Sequence, residues 1–91
     1  MRVKIGDFFF ERSYLEDGSR FLEYLGRVRK NPRDLEAHLA LGVIHDYHGR
    51  PAQAIGHYWS ALQLDPTDPF ARERLKDLLA HLQNLISMAV R

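Results

Sequence analysis

Residues 35–68 read LEAHLALGVIHDYHGRPAQAIGHYWSALQLDPTD, and this stretch decides the fold. Gly49-Arg50-Pro51 breaks it near the middle. On either side Leu41, Ile44, Ile55, Tyr58, Trp59 and Leu62 recur at i, i+3, i+4 and i+7, the spacing of amphipathic helices rather than strands. Gly42 and Ala54 lie on opposite sides of the breaker, so two helices joined by a tight turn are expected to bring these small residues face to face. A hairpin of this size cannot bury its outer apolar face alone and needs stacked neighbours or capping helices.

The flanks repeat the pattern. Pro32 precedes Pro66 by 34 residues, and at the same offset Tyr24 meets Tyr58, Asp34 meets Asp68, Ala37 meets Ala71 and Leu41 meets Leu75. Asp34 is placed to N-cap a helix over Leu35 to Tyr47. Asp68 is placed to cap another, with Pro69 in the first helical position, where its missing N–H costs nothing. That last helix is the longest expected element. Its apolar stripe is Phe70, Leu75, Leu78, Leu79, Leu82, Leu85, Ile86 and Val90, opposite Arg72, Glu73, Arg74, Lys76 and Asp77. The turns from Leu82 to Val90 are more apolar than a solvent-facing cap needs, which suits burial between subunits.

Upstream, Val3 and Ile5 alternate with Arg2, Lys4 and Gly6 as in a short extended arm. Asp7 is read as the N-cap of a helix carrying Phe8, Phe9 and Phe10, at least one of which should reach a later helix, another copy or a ligand. Asp17-Gly18-Ser19 is the next break, since Gly18 tolerates a left-handed turn. Phe21, Leu22, Tyr24, Leu25 and Val28 then return at helical spacing. At the 34-residue offset Phe8 stands where Gly42 does and Arg20 where Ala54 does, so both small contact residues are lost. Either a wider first hairpin or one long helix from Asp7 to Lys30 satisfies this pattern.

These residues resemble the tetratricopeptide repeat family, whose signature is W-x2-L-G-x2-Y, then A-x3-F, then P. His38, Leu41, Gly42 and His45 fall on the first block, Ala54 and Tyr58 on the second, Ala61 follows at helical spacing, and Pro66 closes the unit. His38 and His45 depart from the family's large aromatics. The resemblance implies an all-α domain of about two and a half helical hairpins, five helices in all. It divides the single domain 1–91 into a degenerate unit at 1–34, a full repeat at 35–68 and a capping helix at 69–91.

It also implies a concave surface, lined by the first helix of each unit, that binds extended or helical peptides. Carried over position by position, that surface comprises Glu36, Leu39, Val43, Asp46 and Tyr47, and one unit later Phe70, Glu73, Arg74 and Asp77. Relatives that clamp a C-terminal carboxylate use Lys, Asn and Arg where this chain has Leu39, Val43, Glu73 and Asp77. A partner segment with apolar and basic side chains therefore fits better. Leu39 and Val43 could equally be covered by the N-terminal arm or by a second subunit. The expected role is a protein-interaction module, an adaptor, scaffold or small co-chaperone. The alternative is a self-assembling protein that uses the same apolar surfaces for homo-oligomerisation, with helices exchanged between copies.

Composition supports folding and narrows the chemistry. Of 91 residues 45% are hydrophobic and 27% charged, a globular balance rather than a disordered one. There is no cysteine, so no disulfide, thiol nucleophile or Cys-bound zinc is available. Ser13, Ser19, Ser60 and Ser87 sit in no nucleophile elbow and no Gly-rich phosphate loop occurs, so neither an enzyme nor a cofactor is expected. His45 and His48, with Asp46 between them, raise the question of a metal. A structural role accounts for them better, because His45 takes an aromatic's place in the hairpin and His48 complements a helix C-terminus. Formal net charge is +1, and the basic run Arg27, Arg29, Lys30 and Arg33 ends a helix, where basic residues are expected anyway. Nucleic acid is not indicated. MRVKIGDFFFERSY has no apolar core of leader length, and no window approaches the roughly 18 apolar residues of a membrane span. A soluble, cytoplasmic protein is the expectation.

Overall fold

The computed structural model describes residues 1–89, and in it each aspartate read as a helix start acts as one, except Asp7. Asp34 caps α3 (Leu35–Tyr47), its carboxylate accepting from the Ala37 N–H at 3.0 Å. Asp68 does the same for α5 (Pro69–Ala89) through the Ala71 N–H at 2.8 Å. Between them α4 (Pro51–Leu64) begins on proline. Gly49, at φ +71°, makes the left-handed turn from α3 to α4 that a side chain would strain.

The N-terminus departs from the helix expected after Asp7. Instead β1 (Arg2–Ile5) and β2 (Phe8–Glu11) pair antiparallel, with Val3 opposite Phe10 and Ile5 opposite Phe8. Gly6 and Asp7 form the two-residue turn, and only Gly6 has positive φ, +62°. That is the pattern of a type II′ turn, whose twist matches paired strands. Alternation then places Val3, Ile5, Phe8 and Phe10 on one face. The chain continues into α1 (Arg12–Glu16), breaks at Asp17, and resumes as α2 (Gly18–Lys30), capped by Asp17 on the Ser19 N–H at 2.8 Å, so Gly18 opens that helix instead of making the left-handed turn expected there. Asp7 to Lys30 is thus neither one long helix nor a pair of full helices. β-Hairpin and short helix replace the first half of the degenerate unit.

Among the described residues five helices carry the fold, and α3 is at its centre: Ala37, His38, Ala40, Leu41, Gly42, Val43, Ile44 and His45 are all buried. Leu15, Leu41, Ile44 and Tyr58 are the largest fully enclosed side chains. Gly42 lies under the Tyr58 ring, so closely that a Cβ there would come within 2.6 Å of the ring. Ala54, the small residue expected opposite it, is fully buried in the same hairpin core. Trp59, expected in that core, faces solvent. In α5 only Ala71, Leu75 and Leu78 are buried. Beyond them Leu79, Leu85, Ile86 and Met88 are exposed, and Val90 lies outside the described residues.

Candidate functional site

The faces of α3 and α5 expected to line the concave surface do face one another, and the β-hairpin is seated between them. Phe70 of α5 is its aromatic contact. Phe8 meets the Phe70 ring edge-on at 5.1 Å between centroids, Phe10 approaches it at 6.0 Å, and Tyr58 supports it from α4 at 5.8 Å. Such edge-to-face aromatic contacts add roughly 0.5–1.5 kcal/mol each beyond area burial. Ile5 joins Val43 in the buried core, with Val3 and Leu39 packed against it. The N-terminal segment of the same chain packs against α3 on this side.

At the floor of this surface is a buried ion pair. Arg74 donates from Nε and Nη2 to the two oxygens of Asp46, at 2.8 and 3.0 Å. The side chains are only 15% and 10% exposed, so this pair is desolvated and its geometry matters. The Tyr58 hydroxyl donates to Asp46 at 3.1 Å. Burial, and then the neighbouring Asp46 carboxylate, push the Tyr58 hydroxyl well above its ordinary pKa, so it stays a donor. For Arg74 burial opposes the charge, but the hydrogen bonds and charge of Asp46 outweigh it and raise the pKa. The network ties α3, α4 and α5 together through one carboxylate.

The other expected surface residues divide. Glu73 and Asp77 line a cleft of about 140 Å³ beside the hairpin turn, walled by Gly6, Asp7, Phe8, Pro69, Phe70 and Arg74. Glu36 is drawn away to α2, where Arg27 reaches it at 3.0 Å while also holding Asp34 at 2.9 and 3.1 Å. Tyr47 turns toward α1 and donates to Glu16 at 2.9 Å, a bond that leads the causes lowering the Glu16 pKa. Of the expected surface residues, Asp46, Phe70, Glu73, Arg74 and Asp77 are thus brought together around the ion pair and the cleft, with Val43 and Leu39 in or against the adjoining core. Asp7 and Phe8 were missed. The signal that could have found them is Gly6-Asp7, a two-residue turn between alternating runs.

A second cluster joins residues the sequence treated singly. His38, His45 and His57 meet between α3 and α4, with centroids 5.4 Å apart for His38 and His57 and 5.6 Å for the stacked pair His45 and His57. His48 points elsewhere, its Nε2 3.0 Å from the Leu15 carbonyl. His45 and His48 thus have separate partners, and among the described residues no three His, Cys, Asp or Glu side chains are arranged to hold a metal. No helix among them is long and apolar enough to cross a membrane.

A model of the tetratricopeptide repeat matches residues 35–78, which span α3, α4 and the first half of α5. No curated protein and no solved structure matches the chain.

Proposed function

Since residues 35–78 belong to the tetratricopeptide repeat family, whose members are protein-interaction modules, we propose that this chain is a non-enzymatic module that receives a partner's peptide segment on the α3–α5 face. The observation that carries this is the acidic cleft left open beside the hairpin. Arg74, the cation of that face, is held by both oxygens of Asp46 and also reaches Asp77 at 3.4 Å, so the carboxylates of Asp7 and Glu73, with Asp77 only partly neutralised, set the sign of the cleft while Phe8, Pro69 and Phe70 supply its apolar walls. A segment pairing a Lys or Arg with an adjacent apolar side chain matches both features. A C-terminal carboxylate does not.

The test is a peptide array varying charge and apolarity, probed with the whole chain. Enrichment of Lys or Arg next to Leu or Phe is expected, with binding weakened at least about tenfold by Glu73→Lys and Asp77→Lys together. Equal retention of acidic and basic peptides contradicts the reading.

One observation favours self-association as a second reading. From Leu78 to Ala89 the chain has no Asp, Glu, Lys or Arg, yet Leu79, Leu85, Ile86 and Met88 are exposed on α5. Such a charge-free apolar helix end suits an isologous contact with a second copy. Light scattering over a concentration series decides it: a dimer supports this reading, and a monomer throughout leaves the peptide cleft as the sole account.

A further inference from the structure

The interface between α3 and α4 is built on imidazoles whose hydrogen bonds dictate their protonation. His38 Nε2 lies 2.9 Å from the Pro32 carbonyl, which can only accept, so that nitrogen carries the proton. His38 Nδ1 is then an acceptor, and His57 Nδ1, 3.2 Å away, is its donor. Arg50 Nε donates to His45 Nδ1 at 2.9 Å, which places the His45 proton on Nε2. His38 and His45 are thereby assigned as neutral tautomers, and His57 as the ring that donates from Nδ1. Phe21 of α2 meets the His45 ring edge-to-face at 5.5 Å, so the same cluster also receives the preceding helix.

We propose that this stack of His38, His45 and His57 is a proton-sensitive joint, which holds α3 to α4 only while all three rings are neutral. A proton added to His38 Nδ1 sets two donors against each other at His57. One added to His45 Nδ1 faces the Arg50 guanidinium. His57 could take a proton on Nε2 without losing its bond, but as a cation between two imidazoles. The groups facing the cluster do little to compensate: Arg50 and His48 from the α3–α4 turn, Phe21 from α2, and Asp34 on the His38 side, whose carboxylate is already bound by Arg27 of α2. The consequence reaches the cleft, because α4 also carries the Tyr58 hydroxyl that Asp46 accepts.

The direction in pH follows. Burial first, then Arg50 and His48, lower the His45 pKa. Burial first, then His38 and His45, bring His57 down to about 4. Both folded values lie below the 6.5 of an unshielded ring, so this stability is complete above that value and drains as the pH falls through it toward the folded values. Each shielded ring weakens the folding constant about tenfold per pH unit in that window. Carboxylates titrate lower, so the interval from about pH 6.5 to 5 isolates the histidines.

The experiment is urea unfolding of the full chain at pH values through this window, alongside histidine C2–H titration by NMR. The folding constant of the wild type is expected to fall at least about tenfold per unit, and His57→Phe, which keeps a ring but takes no proton, to remove about one proton from that dependence. A flat wild-type profile, a slope unchanged in His57→Phe, or a His57 resonance titrating near 6.5 in the folded protein overturns the proposal. Should His57→Phe fail to fold, the wild-type titration decides alone. Because this joint lies apart from the acidic cleft, its failure leaves the peptide reading standing, and the reverse also holds.

Discussion

Replacing Gly42 with alanine should destabilise the protein, although the same change elsewhere in its helices should do the opposite. In an open helix interior alanine is favoured over glycine by about 1 kcal/mol. At Gly42 the new Cβ would sit 2.6 Å from Cε1, 2.8 Å from Cδ1 and 3.1 Å from Cζ of Tyr58. Carbon atoms rest roughly 3.5–4 Å apart, so the ring must retreat by about 1 Å. It has nowhere to go: Tyr58 is fully buried, its hydroxyl is bonded to Asp46, and its edge abuts Phe70. Overpacking of this kind costs about 1–3 kcal/mol, and a ring held on three sides belongs at the upper end. After the propensity gain the net loss is about 2 kcal/mol, a fall in Tm of roughly 8–16 °C for a domain of this size. Gly56→Ala is the matched control, since nothing lies within 4 Å of a Cβ there, and it should raise Tm by a few degrees. Thermal melts followed by far-UV circular dichroism read both. If Gly42→Ala melts at or above the wild type, the close ring-on-helix contact is refuted.

Other substitutions probe the remaining contacts. Ala54 is fully buried, so Ala54→Leu should cost about 1–3 kcal/mol in a urea titration; a wild-type midpoint would place Ala54 outside the hairpin core. Asp46→Ala strands the buried Arg74 guanidinium and the Tyr58 hydroxyl, and about 3–5 kcal/mol of destabilisation is expected, part of it recovered by adding Arg74→Met. A loss below 1 kcal/mol would show that the pair is solvated. At low pH a second step should appear below the histidine window. Arg27, and then the Ala37 N–H, hold the Asp34 carboxyl below its usual 3.8, so its contribution is present above that value and disappears as the pH falls toward the lower folded one. Asp34→Asn should flatten that step, and an unchanged acid limb would rule Asp34 out as its source.

The cost of misreading the N-terminus shows what local pattern can carry. Phe8, Phe9 and Phe10 supply an apolar surface to a helix or to a strand alike, and an aspartate before them looks like a cap in one case and a turn residue in the other. What selects the strand is Phe70, about sixty residues later, waiting on α5 for Phe8 and Phe10. Trp59 went astray for a related reason. Its helical spacing suits a core position, but the Tyr58 ring over Gly42 sets the rotation of α4 and leaves the next side chain outside. His57 carried no ligand spacing along the chain, and its role arises only when α4 folds back onto the two histidines of α3.

The capped helices at Asp34 and Asp68, the break at Gly49-Arg50-Pro51 and the repeat were legible in the sequence, because caps, breakers and apolar periodicity are written in residues that are neighbours along the chain. The family resemblance singled out Asp46, Phe70, Glu73, Arg74 and Asp77, which the structure brings near one another. That the β-hairpin packs against α3, that Arg74 binds Asp46 and reaches Asp77, and that the cleft beside them is lined by carboxylates emerged with the tertiary structure. Charge and occupancy of a groove depend on partners brought together from distant parts of the chain, and no local signal records which of the possible partners arrives.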